Sequence, residues 1–292
     1  MKITVFTSTY NRGYIIEKLY SSLKRQTFKD FEWLVIDDGS TDNTNHLFEK
    51  WEKENNQFSI RYYKVENGGK HRAINKGTEL ATGDLFFIVD SDDYLTENAL
   101  ENVVHWEKSL PRDGKFCGVS GNKGKSDGDF WGTSFIGDYV DATSLERKKY
   151  NINGDKAEVF YTKIIKKYKF EEFEGEKFIT ECTVWDRMAY EGYIIRWFNT
   201  TIYICDYLSD GLTKSGDKIF VENPKGTAFL FKQQIKFYNY NLRNRLSHYN
   251  AYFKLVKSKI NFEQAARNLE VKKITLLFAI LLVKCKNLIY RS

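Results

Sequence analysis

Proline and cysteine are scarce in this chain: two prolines and four cysteines among 292 residues. With so little proline and no low-complexity tract, a linker-rich or disordered protein is excluded. Cys117, Cys182, Cys205 and Cys285 lie far apart, with no CxxC pair and no histidine at metal-ligand spacing. That excludes a zinc ribbon and a disulfide framework, and leaves small buried side chains in a reducing compartment. No repeat recurs at solenoid periods. The N-terminal MKITVFTSTYNRG is too short and too polar for a secretory leader and reads as a first strand, so the expected location is cytoplasmic. The apolar run Ile274 to Val283, ITLLFAILLV, is ten residues long. That is about half of what a spanning helix needs.

What the chain does have is apolar material and a lopsided charge. Hydrophobic residues make up 42% and aromatics 16%, enough for one large α/β domain and a smaller appended region. The net charge of +6 is distributed unevenly: residues 220–292 carry +11 and residues 1–219 carry −5. An acidic front suits a metal site, and a basic tail suits phosphates or an anionic membrane surface. The expected division is therefore 1–219 as an α/β domain (1–110 for nucleotide and metal, 111–219 for the acceptor), followed by a basic, aromatic-rich helical region at 220–292.

Strands are expected at Lys2–Ser8, Phe31–Ile36, Ile60–Val65 and Leu85–Val89. Helices are expected between and after them, at Ile15–Leu23, Asn43–Glu54, His71–Leu80 and Glu97–Trp106. Such alternation builds a mostly parallel sheet with crossover helices, and its ligands sit beyond the carboxyl ends of the strands. Asp37-Asp38 and Asp90-Ser91-Asp92-Asp93 occupy two of those ends. Asp37-Asp38 alone reads as a helix cap, a role that Ser40 or Asp42 fills as well. Asp90, Asp92 and Asp93 repel one another unless a cation lies among them, and hard divalent ions take such oxygens together with substrate phosphates. Asp93 is also read as a cap for the next helix. From Lys115 to Tyr168 the Gly-rich, charged stretch Gly121-Asn122-Lys123-Gly124-Lys125 reads as a loop around short strands. Glu181–Gly192 reads as a helix capped by Thr180 or Thr183, followed by strands at Tyr193–Phe198 and Thr201–Tyr207, and the chain is mainly helical from Pro224.

Five segments in register then resemble family 2 glycosyltransferases of the GT-A fold. They are Thr7-Ser8-Thr9-Tyr10-Asn11-Arg12, Val35 through Asp42, Asn67-Gly68-Gly69-Lys70, Ala81-Thr82-Gly83-Asp84, and Val89 through Asp93. The resemblance implies a Rossmann-like sheet flanked by helices, and transfer with inversion of a hexose or N-acetylhexosamine from a UDP-sugar to a saccharide or lipid-linked saccharide acceptor in surface polysaccharide synthesis. It implies that Ser8, Tyr10 and Arg12 border the nucleotide, that Asp38 meets the uracil edge and that Lys70 approaches the diphosphate. It also implies that Asp90 and Ser91 face the ribose or donor sugar, and that Asp92, with Asp90 as an alternative, binds Mn²⁺ or Mg²⁺. Relatives carry Glu-Asp at the catalytic base where this chain has Glu181-Cys182, so Glu181 is the expected base, with Asp186 behind it. Cys182 is not expected as a nucleophile, because inversion needs no covalent intermediate. Tyr207–Thr213, with Lys214 and Lys218, resembles a segment that closes over the phosphates.

Two other readings stand beside this one. A sugar nucleotidyltransferase would open with a Gly-rich basic loop that TSTYNRG matches poorly, and a degenerate nucleotide- or membrane-binding module would lack turnover. The tail is read as an interfacial anchor, with Tyr238, Tyr240, Tyr249, Tyr252 and Phe253 among its basic residues, against the alternative of helices packed in a core. No nucleic-acid module accompanies it. Oligomeric state, sugar and linkage have no signal in the sequence.

Overall fold

The computed structural model describes residues 2–206 and 215–289, with side chains as far as residue 282. Two compact units are present, the first of Met1–Lys169 with Met188–Asp206, the second of Phe170–Arg187 with the chain from Tyr207 on.

In the first unit the described residues form a nine-stranded sheet: β1 Ile3–Thr9, β2 Phe31–Asp37, β3 Ser59–Lys64, β4 Leu85–Ile88, β5 Tyr94–Leu95, β6 Phe116–Gly124, β7 Tyr139–Ala142, β8 Lys156–Tyr161 and β9 Ile194–Ile204. The spatial order is β3-β2-β1-β4-β8-β6-β9-β5, with β7 also on β9. β3, β2, β1 and β4 run parallel, as the alternation requires, through α1 Glu17–Lys24, α2 Thr44–Trp51 and α3 Lys70–Leu80. Beyond β4 the sheet is mixed, because β8 enters antiparallel between β4 and β6. α4 Ala99–Lys108 and the short α5 Thr162–Ile165 complete the helices lying wholly in this unit. Apolar residues of β1, β2 and β4 meet those of α1, α2 and α4 in one core, where Trp33, Phe48 and Trp51 are buried and Tyr20 stacks on Trp51 with centroids 4.4 Å apart.

The stretch read as a loop at Gly121–Gly124 is instead the end of β6. Its glycines are there for space. A Cβ at Gly118 would lie 1.9 Å from the Val159 carbonyl oxygen, and one at Gly121 would lie 2.8 Å from the Ile202 side chain. Composition alone favours a turn there, but close strand approach makes the same demand for glycine. The two strands read at Tyr193–Phe198 and Thr201–Tyr207 are one, β9, with irregular register against β6.

α6, Cys182–Tyr190, begins after Glu181, whose carbonyl accepts from Val184 N at 3.0 Å and Trp185 N at 3.3 Å. Thr183 does not cap this helix; its hydroxyl donates to the Thr180 carbonyl at 2.8 Å. The second unit contains α7 Asp217–Glu222, α8 Pro224–Phe237, α9 Leu242–Val256, α10 Phe262–Asn268 and α11 Lys273–Ile289. Glu176 closes the start of α8, accepting from Lys225 N at 2.7 Å and Gly226 N at 2.8 Å. Leu246, Tyr252, Val256, Leu276 and Ala279 form the core of this unit. Tyr249 and Tyr252, read as interfacial, are buried here, and the Tyr252 hydroxyl donates to the Pro224 carbonyl.

Candidate functional site

The carboxyl ends of β1 and β2 are fastened to one another by short polar contacts. Asp38 N donates to Thr9 O at 2.8 Å, Asn11 N donates to Ser40 Oγ at 2.8 Å, and Asn11 Oδ1 accepts from Thr41 N at 2.8 Å. Asn11 adopts φ 52°, a region asparagine tolerates, and that bend leaves Tyr10 exposed at the rim. Arg12 stands over the Tyr14 ring at 5.9 Å, and Ser8 is half-buried on β1. Asp37 is a structural residue: it accepts from Ser40 N at 2.7 Å and from the Tyr62 hydroxyl. Asp42 takes the cap role at α2, accepting from the Thr44 amide and hydroxyl.

Asp38 is buried and its carboxylate is engaged by the next loop. It accepts from Gly68 N at 2.7 Å, Gly69 N at 2.8 Å and Asn67 Nδ2 at 3.1 Å. Gly69, at φ 100°, turns the chain into α3, a conformation a side chain would strain. The turn brings Lys70 to the start of α3, with Nζ 2.6 Å from Asp90 Oδ1. The Ala81–Asp84 segment is structural: Thr82 N donates to Glu32 Oε1 at 2.8 Å and Gly83 N to Thr4 Oγ1 at 2.9 Å.

The three aspartates after β4 have three different environments. Asp90 faces two ammonium groups, Lys70 on Oδ1 and Lys123 on Oδ2, the latter at 3.8 Å. Burial alone would raise its pKa, but the two lysines outweigh that and hold the carboxyl well below the usual range. Asp93 is buried and accepts from the Tyr203 hydroxyl at 2.6 Å, while that oxygen accepts from Asp90 N at 2.9 Å. Burial and the neighbouring Asp90 push Asp93 up. It caps no helix, since β5 follows directly and Asn98 precedes α4. Ser91 is buried between them. Asp92 is half-buried and accepts no side-chain hydrogen bond among the described residues; burial and Asp90 raise its pKa, opposed by Arg12 and Lys70.

Lys123 and Tyr203 were not among the residues expected here. Lys123, on β6, lies 4.3 Å from the centroid of the Tyr203 ring on β9, its register partner. Burial would discharge the ammonium, but Asp90 and Asp93 keep it charged. A lone lysine in a buried strand was the available signal, hidden by the glycines on either side.

Among the described residues no group of three or more His, Cys, Asp or Glu side chains could hold a metal ion by itself. A hard divalent cation on a diphosphate needs only one or two protein carboxylates, and Asp92 is the carboxylate of this cluster that accepts no side-chain hydrogen bond among the described residues. Asp90, the alternative ligand, is paired with Lys70 and Lys123 in this structure.

Glu181 and Asp186 belong to the second unit, at the start and middle of α6, both half-buried. Glu176, the other buried acid of that stretch, is committed to α8. The Cys182 thiol is pushed up to about 11 by burial, so it carries no thiolate character at neutral pH. Tyr207–Thr213 and Lys214 lie outside the described residues; Lys218 is exposed on α7.

Residues 4–174 match the model of "Glycosyl transferase family 2". Among curated relatives, glycosyltransferase GlyG of Streptococcus pneumoniae is 29% identical over 195 residues, 62% of this chain and 63% of that protein. The GalNAc(5)-diNAcBac-PP-undecaprenol beta-1,3-glucosyltransferase of Campylobacter jejuni is 25% identical over 89% of this chain and 90% of its own. An uncharacterized glycosyltransferase of Mycoplasma pneumoniae is 41% identical over 36% of each chain. The match thus spans less than two thirds of the length of some of these relatives. In fold, S. aureus TarS 1–349 in complex with UDP-GlcNAc superposes with TM-score 0.62 at 17% identity, over 98% of this chain and 92% of that one.

Proposed function

The chain belongs to glycosyl transferase family 2, and from that premise we propose that it moves a hexose or N-acetylhexosamine from a UDP-sugar to a saccharide hydroxyl, with inversion. The arrangement that carries this reading is the pair Lys70–Asp90 beside the open carboxylate of Asp92, all at the ends of parallel strands where nucleotides bind.

In this reading Tyr10 and Arg12 border the nucleotide, and Asp38, held by the Asn67–Gly69 turn, meets the uracil edge. Lys70 and Lys123 form a cationic wall around Asp90. The Lys123 ammonium has hydrogen-bonding capacity left over, because among the described residues its polar partner is Asp90 at ion-pair distance only. Sugar or phosphate oxygens would use it. Mn²⁺ or Mg²⁺ held by Asp92 would supply neutralisation of the departing diphosphate. Glu181 takes the proton of the acceptor hydroxyl as that oxygen bonds to the anomeric carbon and the carbon–phosphate-oxygen bond breaks, releasing UDP. Asp186 is the second candidate for that base.

Relatives support the class of substrate: one carries undecaprenol diphosphate in its name, and the neighbouring TarS structure holds UDP-GlcNAc. We extend this to a lipid-carried saccharide acceptor in surface polysaccharide assembly, with the enzyme in the cytoplasm at the inner membrane face. The test is thermal stability with UDP, GDP, CMP and dTDP, each with and without Mn²⁺. A ligand that binds only the folded state raises the melting temperature. A rise with UDP that needs Mn²⁺ is expected; a flat response from folded protein across the panel would overturn the reading.

A further inference from the structure

α11 is two-faced in a way that the composition of its apolar run does not reveal. Leu276 and Ala279 are fully buried in the core of the helical unit. Ile274, Leu277, Phe278, Leu281 and Leu282 point the other way and are between 43% and 66% exposed. Their spacing of three, four and seven residues places them on one stripe of the helix. A single exposed leucine needs no explanation, but five large apolar side chains within nine residues form a contiguous patch, which soluble proteins keep for a partner.

The chemistry around the stripe selects the partner. From Val271 to the end the sequence contains Lys272, Lys273, Lys284, Lys286 and Arg291 and no acidic residue. Lys272 is exposed at the head of the helix. Lys273 is bonded to Glu263, so it is already partly neutralised. No helix among the described residues is long and apolar enough to cross a membrane. An apolar stripe with Lys272 and Lys273 at its head, followed in the sequence by further Lys and Arg, has the make-up of a helix that lies in the plane of a bilayer. Its stripe sits among the acyl chains and its lysines among anionic headgroups.

We propose that the α11 face made by Ile274, Leu277, Phe278, Leu281 and Leu282 docks on an anionic lipid surface. The docking rests on the reading above only for its purpose, holding the enzyme where a lipid-carried acceptor is found. The tyrosines of α9 take no part, since Tyr249 and Tyr252 are buried.

The test is flotation of the full chain with vesicles of phosphatidylcholine alone or mixed with phosphatidylglycerol, comparing wild type with Leu277→Glu/Leu281→Glu. Both substituted residues are exposed, and the variant's melting temperature and its UDP response check that it is folded. The expected result is binding to the phosphatidylglycerol vesicles that weakens at least about tenfold in the double variant and falls with added salt. Three results would overturn the proposal: no binding to either vesicle, binding unchanged by the double substitution, or equal binding to both vesicle types. Size measurement in solution gives a fourth. A dimer that the double variant dissociates, without vesicle binding, would assign the stripe to a second copy of the chain. Because vesicle binding is read without any sugar donor, its outcome is independent of whether UDP binds.

Discussion

Lys123 and Lys70 approach Asp90 from two elements, β6 and α3, each directed at a different carboxylate oxygen, at 3.8 and 2.6 Å. The carboxylate is thereby fixed in place and remains ionised. Removing the β6 partner leaves a half-buried charge only partly compensated and removes a donor from the wall of the site. Lys123→Met is expected to lower kcat/KM for the donor by about ten- to a hundredfold, chiefly through KM, with Lys123→Arg recovering part of it. Steady-state kinetics at saturating acceptor check this. A fall in melting temperature with unchanged donor KM would instead make Lys123 a residue of the fold alone.

Asp92 differs from its neighbours in accepting no hydrogen bond from another side chain among the described residues. Asp92→Asn preserves shape while removing the charge that an ion would need. The UDP-dependent rise in melting temperature is expected to lose its Mn²⁺ requirement or vanish, and turnover to fall by roughly a hundredfold or more. Asp93→Asn is expected to act differently, since Asp93 accepts from the Tyr203 hydroxyl: it should lower stability more than it alters the metal response.

How far the sequence reveals these roles depends on periodicity. The parallel half of the sheet was legible because β1 is rich in β-branched residues and β2 and β4 are largely apolar, each closed by a polar turn, so strand, turn and site coincide. The acidic clusters were legible for the same reason. The division of labour among Asp90, Asp92 and Asp93 was not, because it is set by Lys123 and Tyr203, more than thirty and a hundred residues further along the chain. β6 escaped because glycines needed for close strand approach read as a turn. On α11, hydropathy identified the apolar run, but only packing separates the buried Leu276 from the exposed Leu277.

For the acceptor's proton, Glu181 just precedes α6 and Asp186 lies within it, and single substitutions separate them. Glu181→Gln is expected to reduce kcat by about 10²- to 10⁴-fold while the donor KM stays within a few-fold, the pattern for loss of a general base. Asp186→Asn is expected to retain most activity. The reverse ranking, measured by turnover at saturating donor, would move the base to Asp186.

Glu32 connects the fold to pH. It lies on β2 opposite Thr4 of β1 and is fully buried, which disfavours its charge. Donors from Thr4 (2.6 Å), Thr82 (2.8 Å) and Arg61 (2.9 Å) outweigh that and lower its pKa from 4.5 to about 2. A carboxyl depressed in the folded state contributes stability that is complete above its unfolded pKa and is lost as pH falls toward the folded value. The wild type is therefore expected to lose stability between pH 4.5 and about 2, with Glu32 contributing to the loss. Glu32→Gln should cost about 2–4 kcal/mol at neutral pH, because Arg61 loses its charge partner. The same variant should flatten the acid limb of the curve. Urea unfolding of both proteins at pH 7 and at pH 3 checks this: if the difference in unfolding free energy is the same at the two values, Glu32 is not the group that titrates.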